Sequence, residues 1–343
     1  MPQVHIVKAE DSSRIFSVAG TASVSLGSTQ SGGGFGFGFA WNDIQNTTEA
    51  VVKNSQLDYA DSLQVLAQND SKIQTVSASV GVSQAQQTAA TIAGTASVNQ
   101  IDNLTRAQVI GSTLRGLSGG VGGATRILAQ DQAAIQSVSG AVSVAISGAG
   151  LSLGFGAAIA YNAIGNRSGH HTLATVENST LTVDSLTVKA TGEQIIQSIA
   201  ASVAAAVSGK AAVSLAGAVT INDLEGLRIE GSITGSTVTT VKAVQVSADN
   251  RSEINSMAGQ VAVAIGSKGG GALGAAVAIN DIGDGTDPVQ VSAFISNSTV
   301  TSTTGAIDLL ATSSAKIWTI SAGVQAAGGA ALGDRWGYPS SLN

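Results

Sequence analysis

The chain has no cysteine, which removes disulfides, thiol nucleophiles and Cys-ligated zinc together. Charge is nearly as scarce: Asp, Glu, Lys and Arg make up 11% of the 343 residues, against roughly 25% in an ordinary globular domain. The net charge is −6 and no Lys/Arg cluster interleaved with aromatics occurs, so nucleic acid and anionic membrane surfaces are poor partners. Aromatics are 3% and there are three prolines, which excludes a thick interior anchored on large rings. No basic-then-apolar leader opens the chain. The most apolar stretch, residues 195–221, carries Gly209 and Lys210 at its centre and alternates with a period of two. It reads as two strands around a turn, and no membrane insertion is expected.

What remains is Ala, Val, Ser, Thr and 42 glycines, arranged as a repeat. The segments "SRIFSVAGTASVSL", "SKIQTVSASVGVSQ", "AAIQSVSGAVSVAI", "QIIQSIAASVAAAV", "SEINSMAGQVAVAI" and "AKIWTISAGVQAAG" begin near residues 13, 71, 133, 193, 252 and 315. Their leading isoleucines, Ile15, Ile73, Ile135, Ile195, Ile254 and Ile317, are 58 to 63 residues apart. About 25 residues after each of the first five comes an asparagine: Asn42, Asn99, Asn162, Asn222 and Asn280. Residues 1–333 therefore form one repeat array, followed by the non-repeat tail 334–343, "DRWGYPSSLN". Both ends cut across a repeat, so a longer parent chain with neighbouring repeats is expected.

Within each copy apolar residues alternate with small ones, as in Val142, Val144, Ile146 and then Leu151, Leu153, Phe155. A period of two is a strand. The fold class is all-β, a parallel β-helix of about five 60-residue repeats. At 20 to 30 residues per turn, each repeat is expected to span two or three coils, giving a rod on the order of 55 to 80 Å. The alternate positions are Ala, Gly and Ser more often than charged residues, so the second strand face is expected to pack as well, against a neighbouring sheet or against another chain, the latter giving self-association through the Ala/Gly faces. Asn42, Asn162, Asn222 and Asn280 are expected to be structural turn residues, because asparagine tolerates the left-handed region.

The pattern of small and apolar residues across 142–190 and 261–311 resembles the repeats of giant bacterial adhesins. Filamentous-haemagglutinin-type two-partner-secreted proteins, large autotransporter passengers and the repeat region of fusobacterial leukotoxin look similar, over nearly the whole chain. The resemblance implies a right-handed β-helix, secretion to the bacterial cell surface, and a role in attachment or as a stalk, with host or microbial glycans or proteins as partners. It implies no enzyme.

Chemistry-bearing motifs are few. "GLSGG" at 116–120 has nucleophile-elbow spacing around Ser118 but lacks the strand–turn–helix context. "GGGALG" at 269–274 matches the dinucleotide fingerprint by letters but leads into an alternating strand. No cofactor is expected. Asp281, Asp284 and Asp287 in "NDIGDGTDP" are a calcium candidate, since a Gly-rich turn presents hard oxygen ligands. His170 and His171 in "NRSGHHT" are expected on a loop and are a ligand-binding candidate there. Three rivals follow. A polysaccharide-acting lyase or hydrolase of tailspike type would use Asp43, Asp223 and Asp281, which recur at equivalent positions. An outer-membrane barrel would share the alternation, and a self-assembling extracellular fibre protein would share the bare faces.

Overall fold

The computed structural model of the chain describes residues 4–27, 30–116, 123–165, 170–283 and 286–329. Ser118, Asp284 and the 334–343 tail lie outside them. Twenty strands and no helix occur among the described residues. The first coil holds β1 (Val4–Asp11), β2 (Arg14–Leu26), β3 (Ser31–Lys53) and β4 (Gln56–Tyr59); the second β5 (Ser62–Ala85), β6 (Thr88–Ile110) and β7 (Thr113–Gly116). The third holds β8 (Ala124–Ser147), β9 (Leu151–Ile164), β10 (His171–Glu177) and β11 (Thr180–Val183); the fourth β12 (Ser185–Ser208), β13 (Ala211–Leu224), β14 (Arg228–Thr234) and β15 (Thr237–Thr240). The fifth holds β16 (Val244–Gly266), β17 (Gly269–Ile282), β18 (Gln290–Ser296) and β19 (Thr299–Ser302), and β20 (Ile307–Gly329) opens a sixth.

These strands stack, all parallel, into three sheets. The A sheet runs β1/β2, β5, β8, β12, β16, β20; the B sheet is built on β3, β6, β9/β10, β13/β14 and β17/β18; and the C sheet is β4, β7, β11, β15, β19. This is a parallel β-solenoid, with no closed barrel among the described residues.

The pairing corrects the expected coil size. Ile73 is the register partner of both Ile15 and Ile135, so one 60-residue repeat is one coil. Six rungs at about 4.8 Å give a stack only about 24 Å from first strand to last, whereas a 24-residue A strand such as β12 runs about 80 Å. The described chain is a broad slab, wider than it is tall. Register also corrects one landmark: the partner of Ile135 and Ile254 is Ile196, not Ile195. Because strand side chains alternate faces, that single step puts Ile196 in the core at 0% exposure and turns Ile195 outward.

Each coil has two parts with different interiors. The first half of each A strand, the end of each B strand and the short C strand enclose an aliphatic prism containing Val65, Ile73, Ile127, Ile135, Ile196, Leu114, Leu181 and Ile229. Each such side chain, once buried, contributes about 1.5 to 3 kcal/mol. Beyond the prism, the second half of each A strand and the start of each B strand form a two-layer blade. Its interior is Ala against Ala (Ala93, Ala141, Ala158, Ala200, Ala218, Ala258) with serine hydroxyls bonded to one another, as Ser77 Oγ to Ser139 Oγ at 3.0 Å. Glycine fits where the two layers approach most closely: a Cβ on Gly154 would stand 2.7 Å from the Ala205 carbonyl oxygen.

The inner Ala/Gly/Ser faces pack against the neighbouring sheet of the same chain, across the blade. The large apolar residues point outward instead. Phe35, Phe37, Phe39 and Trp41 are 69%, 52%, 52% and 57% exposed, and Val138, Ile199 and Ile159 are exposed too. The blade inverts the usual arrangement, with small polar groups inside and Val, Ile and Phe outside.

The turn between the B and C sheets uses the left-handed region at one position in every coil. That position is Asn54, Gly111, Asn178, Gly235 and Asn297, with φ between 48° and 59°. These are the turn-forming asparagines. The serine after each of the last four accepts a hydrogen bond from the backbone N–H of its counterpart in the preceding coil: Ser55 N–H to Ser112 Oγ, Ser112 to Ser179, Ser179 to Ser236 and Ser236 to Ser298, at 3.0 to 3.1 Å. Every corner is thus tied to the next.

Candidate functional site

The asparagines expected at turns stand inside B strands: Asn42 in β3, Asn162 in β9, Asn222 in β13 and Asn280 in β17. One coil per repeat places them in direct register with Asn99, and they form a continuous amide ladder. Asn42 Nδ2 donates to Asn99 Oδ1, Asn99 to Asn162, Asn162 to Asn222 and Asn222 to Asn280, at 2.7 to 2.9 Å. Asn280 Nδ2 then donates to Thr319 Oγ1 at 2.7 Å. The ladder lies near the boundary between prism and blade, where each buried amide is satisfied by the amides above and below it, and at Asn42 and Asn99 also by the Thr75 hydroxyl.

Beside it lies a second buried polar group that the sequence did not disclose. Asp131 of β8 and His170, the residue before β10, are both fully buried, with His170 Nε2 2.5 Å from Asp131 Oδ2. The His170 Nδ1 accepts the Asn103 backbone N–H at 3.1 Å, so the ring proton sits on Nε2 and faces the carboxylate. Asn103 Nδ2 and Thr105 Oγ1 also donate to Asp131 Oδ1, at 3.2 and 3.1 Å, and Gln194 Nε2 reaches Oδ2 at 3.3 Å. His170 is therefore a satisfied core residue, not a loop ligand. His171 is the first residue of β10 and turns to the opposite, outer side.

On that outer side is a polar cleft of about 430 Å³ along the B sheet, lined by Gln45, Asn46, Thr47, Asp102, Asn103, Leu104, Arg106 and His171. Arg106 Nη1 is held by Glu49 Oε1 of the neighbouring strand at 2.7 Å. Burial first, then the Arg228 and Arg106 charges, push the His171 pKa below its ordinary value, which keeps the ring neutral at physiological pH. The cleft is thus lined by amides, a carboxylate, a guanidinium and a neutral imidazole.

No protein-family model, curated protein or solved structure matches the chain.

The carboxylates of the glycosidase-type rival are partly brought together. Asp223 and Asp281 are direct register partners on β13 and β17, whereas Asp43 is separated from them by Gln100 and Ala163. Burial raises the Asp223 pKa, the Tyr161 hydroxyl that bonds it lowers it, and the Asp281 charge raises it further, with a net upward shift. A carboxyl whose folded pKa is raised stabilises the fold while protonated, and that contribution is lost as pH rises through the folded value. Asp223→Asn is accordingly expected to be at least as stable as the parent at pH 7, with its advantage vanishing below the ordinary carboxylate range. Thermal melts of both proteins across that range check it, and an Asn variant that is less stable at neutral pH contradicts it. Of the calcium candidates, Asp281 is exposed on β17 and Asp287 lies exposed in the following turn, where its carbonyl accepts the Gly226 N–H. Among the described residues no group of three or more His, Asp or Glu is placed to hold a metal.

Proposed function

We propose that the chain is an adhesive, structural segment of a secreted bacterial surface protein, and that it works by breadth rather than by reach. The observation supporting this is the one-coil repeat. Sixty residues yield about 4.8 Å of height, where the same residues in an α-helix would span about 90 Å. A spacer gains little from such a fold, whereas a binding surface gains an 80 Å wide face repeated in register. The polar cleft around Arg106 and His171 is the contact point we assign to a surface glycan, because its donors and acceptors suit hydroxyls.

Glycan-array binding followed by whole-cell adherence tests this reading. Arg106→Ala is expected to weaken glycan binding about tenfold through loss of charge-assisted hydrogen bonds, with the melting temperature nearly unchanged because the side chain is part-exposed. Absence of any glycan or cell binding by the parent chain would overturn the adhesive role. A second reading, a glycan-cleaving enzyme, rests on the stacked Asp223–Asp281 pair beside Tyr161, whose strands are about 4.8 Å apart. Release of glycan fragments, abolished by Asp223→Asn, would establish it.

A further inference from the structure

Among the described residues nothing covers the outer A-sheet face of the blade. Between the Gln74–Gln136–Gln197 ladder and the blade tip, strands β5, β8, β12 and β16 carry no charged residue. Val138, Val142 and Ile146 of β8 are 42%, 37% and 40% exposed, and Ile199, Val203 and Val207 of β12, their register partners, are 41%, 37% and 39% exposed. Between the first two ridges runs a groove, the column Ala78–Gly140–Ala201–Gly259. The first two ridges and the groove between them continue from β5 to β16, whereas the third ridge carries Gln84 on β5.

We propose that this face pairs with the same face of a second copy of the chain, the ridges of each blade seated in the Gly/Ala groove of the other. The proposal stands independently of the adhesive reading. Its first support is area. Six rungs at about 4.8 Å by nine residues at about 3.3 Å give a flat face of roughly 700 to 850 Å², close to the approximately 800 Å² per partner of a standard stable interface. Monomeric proteins rarely leave an apolar patch of that size in water. The second support is complementarity. A face without charge has nothing with which to select a chemically different protein, while a ridge–groove–ridge profile fits its own two-fold copy. A bilayer is the weaker occupant, because it would also take up the backbone edges of the outermost strands, and each unpaired N–H or C=O costs several kcal/mol in hydrocarbon.

The groove supplies a clean test. A Cβ at Gly259 would meet nothing within 4 Å, and at Gly140 only the Ala201 carbonyl at 4.0 Å, so larger side chains there leave the fold intact while filling the groove. Sedimentation velocity on the full chain between about 1 and 100 μM is expected to show a concentration-dependent dimer. The double variant Gly140→Leu/Gly259→Leu is expected to dimerise at least about tenfold more weakly, with an unchanged β-sheet circular dichroism spectrum and melt. Val142→Lys/Val203→Lys, which charges the ridges instead, is a second route to the same loss. Flotation with phosphatidylcholine vesicles completes the set, and no binding is expected. A chain that stays monomeric over the whole range, a dimer that survives both variants, or vesicle binding lost in the lysine variant would each overturn the proposal.

Discussion

Asn162→Leu is expected to destabilise the fold by about 2 to 5 kcal/mol, although the two side chains branch alike. Asn162 is fully buried, accepts from Asn99 Nδ2 and donates to Asn222 Oδ1. Leucine strands both neighbours, leaving one buried donor and one buried acceptor without that partner, at about 1 to 3 kcal/mol each. Gln136→Leu makes the contrast. Gln136 also sits in a ladder, between Gln74 and Gln197, but on the outer face where water can replace the lost partner. Its cost is expected at about 0.5 kcal/mol or less. Urea denaturation of both variants measures the difference, and equal costs would show that the Asn ladder has no special standing.

The second large effect is at the buried pair. His170→Leu removes the proton that faces Asp131 and the acceptor of the Asn103 N–H, leaving a carboxylate at 0% exposure short of one donor. Breaking a buried pair by deleting one partner costs about 3 to 5 kcal/mol. His171→Ala, one position along, is the control: that ring lies half-buried on the outer face, and its removal is expected to cost about 0.5 kcal/mol or less. Denaturant midpoints for the two single variants decide the matter. A His170 variant as stable as the His171 variant would mean that Gln194, Asn103 and Thr105 alone satisfy the carboxylate.

The period-two pattern of Val142, Val144 and Ile146 made the strands legible, and the repeat made the solenoid legible. The number of coils was not, because nothing in an alternating run says where a strand must stop. Average strands have about 5 to 6 residues, so a 60-residue repeat invited division into several short turns, whereas β12 continues unbroken for 24. The same alternation names two faces without saying which is inside. In the prism the large residues are inside, and in the blade they are outside, within one strand. "QII" offers two isoleucines of opposite parity, and only pairing chose Ile196. Asparagine's taste for turns pointed to Asn42 and Asn162, but the turn positions are Asn54 and Asn178, and only stacking could show the difference. The cleft was invisible for a similar reason. Gln45, Asp102 and His171 come from three coils and meet only through register.

The hydrogen bonds of a parallel stack point along its axis, so tension on that axis acts on the outermost coil first. It peels before its neighbours, and each coil that yields frees about 200 Å of extended chain from about 4.8 Å of height. A load carried through such a stack would be borne by an extensible line that lengthens one 60-residue loop at a time, while the remaining coils keep their registers.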